Sequence, residues 1–159
     1  MQTNKYFPIA SLGIVLLTGC ALFGKRKPEA TLRIHEQVSA MLPESRVLTA
    51  AIPRANLKIP VNLYPALSEK DVQSADIYQT AGGSAIMLRF DIHGAIKFDE
   101  LTTRSRGQYL VTFLNGRPVA AWLVDQRITN GQFLVEGDFS DEEAKNAVES
   151  LNRMNKKRR

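Results

Sequence analysis

The chain has 159 residues, 44% of them hydrophobic and 23% charged, which suits one domain with a real apolar core. The net charge of +5 belongs to the chain ends: all sixteen Asp and Glu lie within residues 28–152, which hold only twelve of the 21 Lys and Arg. The body is therefore mildly acidic and offers no broad basic face for nucleic acid, and a single cysteine excludes an internal disulfide.

In chain order, Lys5 precedes an apolar run, Tyr6 to Leu17, too short for a spanning helix and of the length of a signal-peptide core. The run ends in Leu17-Thr18-Gly19-Cys20. This segment resembles the lipobox of bacterial lipoproteins. The resemblance implies a signal peptide over residues 1–19, cleavage between Gly19 and Cys20, and diacylglyceryl and palmitate acylation at Cys20. Small residues before the cysteine let a peptidase approach, and a thiol is a suitable nucleophile for the thioether. Ala21, rather than Asp, follows the cysteine; by similarity to other lipoproteins this favours the outer over the inner membrane. Residues 20–29, with Lys25-Arg26-Lys27-Pro28, are expected to form a basic tether, and residues 153–159 a basic tail, RMNKKRR. Next to a lipid anchor such ends suit anionic lipid headgroups.

Between the ends the pattern predicts an α+β domain over residues 30–152, with a mainly antiparallel sheet and about three helices on one face. Leu32 and Ile34 alternate as a strand, with His35 on the opposite side. A turn around Pro43 leads to strands over 47–52 and 57–64. Pro60 places the second of these at an edge, or breaks it, because proline has no N–H for the ladder. Ser68 and Asp71 predict a helix cap, with Leu67 and Val72 as a hydrophobic staple, for a helix running to about Thr80. Ile86, Leu88, Phe90 and Ile92 predict a central strand. Gly94 opens the next helix, whose face is Ala95, Phe98 and Leu101 or Thr102, and which closes at Arg104, Arg106 and Gly107. Strands follow from Gln108, turned by Asn115-Gly116, over Val119 to Asp125, and, past Asn130-Gly131, over Gln132 to Glu136. Ser140 and Glu143 form a capping box for a last helix with Ala144, Ala147, Val148 and Leu151 on one face.

The ordered set Asn115-Gly116, Ile128, Gly131, Val135, Gly137, Phe139, Glu143-Ala144 and Leu151 resembles the head of the first periplasmic domain of SecD or SecDF. So do Pro65-Ala66-Leu67-Ser68 and, further on, Phe90, Gly94, Phe98, Leu101, Thr102 and Gly107. The resemblance covers roughly residues 56–152. It implies a head that engages translocating polypeptide beyond the inner membrane. It does not bring the transmembrane helices and acidic residue through which that family couples to the proton gradient. The chain departs from the family at Ala120-Ala121-Trp122, where an Ala-Pro pair is usual.

No residue set points to catalysis. His35 and His93 stand apart, without metal-ligand spacing, and are expected at the surface or at strand ends. Asp138, Asp141, Glu142 and Glu143 are explained by a helix N-terminus, and neither a nucleophile elbow nor a phosphate loop is present. No enzyme, metal or cofactor is implied. What remains is a binding surface. Tyr109 and Trp122 lie on a hairpin whose edge can accept an extended peptide, Phe113 is expected in the core, and Arg104, Arg106 and Arg117 are placed to rim such a face. The expected role is a lipid-anchored envelope protein, facing the periplasm, that binds extended polypeptide or an envelope partner in support of export. The alternative is a structural lipoprotein that docks a folded partner.

Overall fold

A computed structural model describes residues 29–38, 43–53 and 56–157. Nine strands and two α-helices follow in the order β1 Leu32–Glu36, β2 Val47–Ile52, β3 Leu57–Asn62, β4 Leu67–Ser68, β5 Val72–Thr80, β6 Gly83–Phe90, α1 Ile92–Arg104, β7 Tyr109–Leu114, β8 Arg117–Leu123, β9 Gln132–Glu136 and α2 Asp141–Lys156, with a 3-10 turn at Glu44–Arg46. All pairings are antiparallel, in three sheets ordered β4-β1-β7-β8, β2-β3 and β5-β6-β9.

The mixed α+β class matches the expectation, but two α-helices replace three. The predicted helix from Ser68 is a turn followed by the nine-residue strand β5. Ser68 and Asp71 do bond to each other, N–H to Oδ2 at 2.9 Å, with a return bond from Asp71 N–H to the Ser68 carbonyl at 3.0 Å. These bonds close a turn instead of starting a helix. A bulge between Val72 and Ser74 puts Val72 and Ala75, three residues apart, on one buried face. That spacing imitates a helical repeat although the backbone is extended.

Helix α1 begins two residues earlier than expected. Asp91 is its cap, accepting from Gly94 N–H at 2.7 Å, so β6 stops at Phe90 and Ile92 lies on the helix, 79% exposed. At the other end, α2 runs on to Lys156, four residues into the expected tail. Its capping box has both bonds, Ser140 N–H to Glu143 Oε2 at 2.8 Å and Glu143 N–H to Ser140 Oγ at 3.2 Å. The Asn115-Gly116 turn takes φ of 51° and 79°, as a tight hairpin requires. β3 continues through Pro60, which faces Thr49. Leu63 N–H donates to the Arg46 carbonyl, and that phase turns the position of the missing proline N–H away from β2. The Pro60 carbonyl accepts from Val38 N–H at 3.0 Å.

β7 is buried on both faces. Leu110 and Leu114 join the main core with Leu88, Phe98, Phe133 and Leu151, and both helices insert their apolar sides there. Val111 and Phe113 face the other way, into a smaller core completed by Ala50, Ile52, Ile59 and Val61 of the β2–β3 hairpin. Phe113 is thus a core residue, as expected.

His35 corrects the expectation of a surface role. It is 4% exposed, with its ring 4.7 Å from that of Phe113, and Nδ1–H donates to the Asn62 carbonyl at 2.8 Å, tying β1 to β3. Burial pushes its pKa below the usual histidine value; the Asn62 bond opposes this and the Arg33 charge adds to it. A base with a depressed folded pKa contributes stability that is complete above the unfolded value, near 6.5, and is lost as the pH falls through the folded value. Urea unfolding should therefore show stability declining as the pH drops below about 6.5. His35→Gln should flatten that slope relative to the parent chain; an unchanged slope would remove His35 as its source.

Candidate functional site

Among the described residues no three His, Cys, Asp or Glu side chains converge as a metal set, and no described helix is long and apolar enough to cross a membrane. The lipobox, with Gly19, Cys20 and the basic stretch Lys25–Lys27, lies outside the described residues.

The hairpin residues singled out from the sequence do not share one face. Trp122 is opposite Leu110 in register and packs toward the main core, half-buried, with its ring 5.5 Å from that of Phe133. Tyr109 is opposite Leu123 and packs on the smaller core, on the other side of the sheet. The three arginines separate as well. Arg104 forks onto Glu36 at 2.9 and 3.0 Å, and Arg106 Nη2 donates to the Asp125 carbonyl at 3.1 Å, both near the Tyr109 end. Arg117 is at the far end of β8, 3.1 Å from Glu143 and 3.8 Å from Asp138. Burial pushes the Glu36 carboxyl up, but the hydrogen bonds from Arg104 and Ser105 and the Arg104 charge outweigh it and hold the pKa below the ordinary glutamate value. Arg104 and Arg117 thus serve ion pairs within the chain, and Arg106 a backbone carbonyl.

The structure does bring an open sheet edge together with a groove. β8 ends its sheet, and among the described residues no strand pairs with its outer side. Val124 N–H bonds the Gln108 carbonyl at 2.9 Å, which sets the alternation so that Ala121 and Leu123 turn their backbone groups outward. Asp138 N–H closes the first part of this edge by donating to the Val119 carbonyl at 2.7 Å. The approach is so tight that a Cβ on Gly137 would stand 2.7 Å from that same oxygen. Beside this junction is a groove of about 420 Å³ lined by Ile52, Ser84, Val119, Ala121, Glu136 and Asp138, among others. Leu123, at the open end of the edge, is 46% exposed. Sequence reasoning missed Glu136, Asp138 and Ser84 as groove residues, because the pairing of β9 with β6, some fifty positions earlier, is what brings them together.

A larger recess of about 740 Å³ runs along α2 between Glu29 and Asn115. Four of its residues, Glu29, Glu142, Glu143 and Glu149, are acidic, against one cation, Arg153. It opens at Glu29, the first described residue.

The family model described as the SecDF P1 head subdomain matches residues 43–153. The chain belongs to the SecDF P1 head family. The match begins upstream of the stretch recognised from sequence and takes in the β2–β3 hairpin. The protein translocase subunit SecDF of Thermus thermophilus is 33% identical over 120 residues, covering 74% of this chain and 16% of the relative. Two solved SecDF structures share the fold at 24% identity. One, in the super-membrane-facing form, has a TM-score of 0.60 over 78% of this chain and 19% of its own. The other, of SecDF as a membrane component that enhances protein export, has a TM-score of 0.59 over 78% of this chain and 62% of its own. The chain thus spans a small part of the full SecDF relative, and the segment it shares is the head.

Proposed function

We propose that this chain is a lipid-anchored bacterial envelope protein whose SecDF head binds extended polypeptide along the open edge of β8, as an accessory to protein export. The observation that carries the reading is that edge: outward backbone groups at Ala121 and Leu123, an exposed apolar side chain beside them, and a groove continuing past the Asp138 junction. An added strand gains main-chain hydrogen bonds from any sequence and takes side-chain preference from neighbouring pockets, which suits a binder of varied unfolded clients. Family membership supports the reading, since a SecDF relative is described as enhancing protein export. The lipobox supplies the anchor in the reading, and the periplasmic face of the envelope is the compartment it implies.

The test is a titration of the full chain in detergent micelles with an unfolded secretory polypeptide, followed by amide NMR. Saturable shifts are expected at Val119–Leu123 and Glu136–Asp138, with Leu48 and Lys58 on the β2–β3 hairpin unchanged. Ala121→Pro, which removes an outward donor, should weaken binding by roughly tenfold if one or two hydrogen bonds are lost. A spectrum unmoved at high polypeptide concentration would sink the reading. The alternative, a structural lipoprotein docking a folded partner, draws support from Trp122, whose ring is partly covered by Phe133, and from three arginines already engaged within the chain. It predicts a stable complex with a folded envelope protein and no response to unfolded chain.

A further inference from the structure

The groove beside β8 combines two kinds of lining. Ile52, Val119 and Ala121 give it apolar walls, and Glu136 and Asp138 add two carboxylates. No Lys, Arg or His lines it. Its buried hydroxyl is already engaged: Ser84 Oγ donates to Asp141 Oδ1 at 2.6 Å and accepts from Gln79 Nε2 at 3.0 Å. The carboxylates are less committed. Among the described residues Glu136 has no ion-pair partner. Asp138 meets Arg117 at 3.8 Å, but that guanidinium sits closer to Glu143, at 3.1 Å. The Arg117 and Asp138 side chains are both about half exposed, and so loose a pair at the solvent holds little energy. The groove therefore carries negative charge with little compensation. The recess along α2, by contrast, already includes the cation Arg153.

We propose that this groove is a subsite for a Lys or Arg side chain of the strand added at β8, carried at the position paired with Ala121, and that it makes the edge selective for cationic segments of extended polypeptide. The subsite presupposes strand addition at β8 and adds a side-chain preference to it. Ala121 belongs to both features: its backbone groups turn outward, and it lines the groove. In an antiparallel pair the residue directly opposite Ala121 places its side chain on the same face of the sheet as the Ala121 Cβ. Ala121 packs on the smaller core, whose members include Ile52, and Ile52 lines the groove as well. The incoming side chain is therefore on the groove's side of the sheet. A long aliphatic stem with a charged head suits both parts of the lining. Its methylenes cover Ile52 and Ala121, and its ammonium or guanidinium meets Glu136 and Asp138. A purely apolar side chain would take water from the carboxylates without replacing it, and an acidic one would be repelled. Charge complementarity thus selects one class of client residue at one register of the strand.

The experiment is an amide NMR titration of the full chain, in uncharged detergent micelles, with three short end-capped peptides of alternating Thr and Val. They differ at one central residue, which is Lys, norleucine or Glu. The Lys peptide should bind roughly fivefold more tightly than the norleucine peptide at low salt, the Glu peptide more weakly than either, and high salt should shrink the differences. Saturable shifts should include Ala121 and Glu136–Asp138. Glu136→Gln combined with Asp138→Asn should bring the Lys-to-norleucine affinity ratio close to one. A ratio taken within one variant is insensitive to any loss of fold that weakens both peptides alike. Glu142→Gln, in the α2 recess, should leave the ratio as it is in the parent chain. Equal affinity for the Lys and norleucine peptides, with saturable shifts along β8, would overturn the subsite and leave strand addition standing. A Lys preference that survives the double substitution, or that comes with shifts at Asn146 and Ala147 instead, would move the preference to the α2 recess and overturn the subsite too. No saturable shift with any of the three peptides would overturn both the subsite and strand addition.

Discussion

Phe98→Ala is expected to lower the stability of the domain by about 3–5 kcal/mol, a large part of a total margin of about 5–15 kcal/mol. Phe98 has no exposed surface and is the middle of an aromatic chain. Its ring centroid lies 4.9 Å from that of Phe90 and 5.2 Å from that of Phe133, and Phe133 is 5.5 Å from Trp122. The ring joins α1 to β6 and β9, so truncation leaves a cavity where a helix and a sheet meet, and little can move to fill it. Chemical unfolding followed by the fluorescence of Trp122, the one tryptophan, measures the loss directly. The native emission of the variant should shift as water reaches Phe133. Phe98→Leu should recover most of the stability. A loss under about 1 kcal/mol for the alanine variant would mean that the aromatic chain is not the centre of the core.

Gly94→Ala is the second large effect, expected to cost about 3 kcal/mol, at the upper end of overpacking penalties. In an ordinary helix the same change would stabilise by roughly 1 kcal/mol, so the sign itself is the test. A Cβ at Gly94 would lie 2.5 Å from the Asp71 carbonyl oxygen and 2.9 Å from Asp71 Cβ. Backbone cannot step aside there, because Asp91 N–H also donates to that carbonyl at 2.9 Å, and Lys97 holds the Asp71 carboxylate at 2.6 Å. Gly82→Ala is the control: its nearest contact is Thr80 Oγ1 at 3.8 Å, and it should change stability little. Thermal or urea unfolding of the pair separates close packing from a general intolerance of glycine replacement. If Gly94→Ala raised the midpoint, the tight seat of α1 on the Asp71 turn would be wrong.

These two positions show how far local sequence reaches. Phe98 was legible as a buried helical residue from its spacing with Ala95 and Leu101. The need for glycine at 94 was not, because its reason is a carbonyl 23 positions earlier in a turn that sequence reading made into a helix. The candidate site divides in the same way. Trp122 was placed on an edge hairpin by alternation, and that edge is open. Alternation also puts Tyr109 and Trp122 on one hairpin, but the register, Tyr109 with Leu123 and Trp122 with Leu110, separates them onto opposite faces. A strand residue's face depends on its partner strand as well as its neighbours in sequence.

What sequence determined alone were features whose physics is confined to a few adjacent residues. Asn115-Gly116 required positive φ wherever it stood, Ser140 and Glu143 could satisfy each other's backbone without outside help, and the strands at 47–52 and 132–136 had the boundaries that their alternation marks. The tertiary structure decided everything set by partners distant in the chain. It made residues 72–80 a strand, since one bulge gives a strand the three-residue spacing of a helix. It buried His35 under a hairpin that begins a dozen residues later. And it brought Glu29 within 3.4 Å of Lys157, 128 positions on, because long-range packing alone decides which surfaces meet.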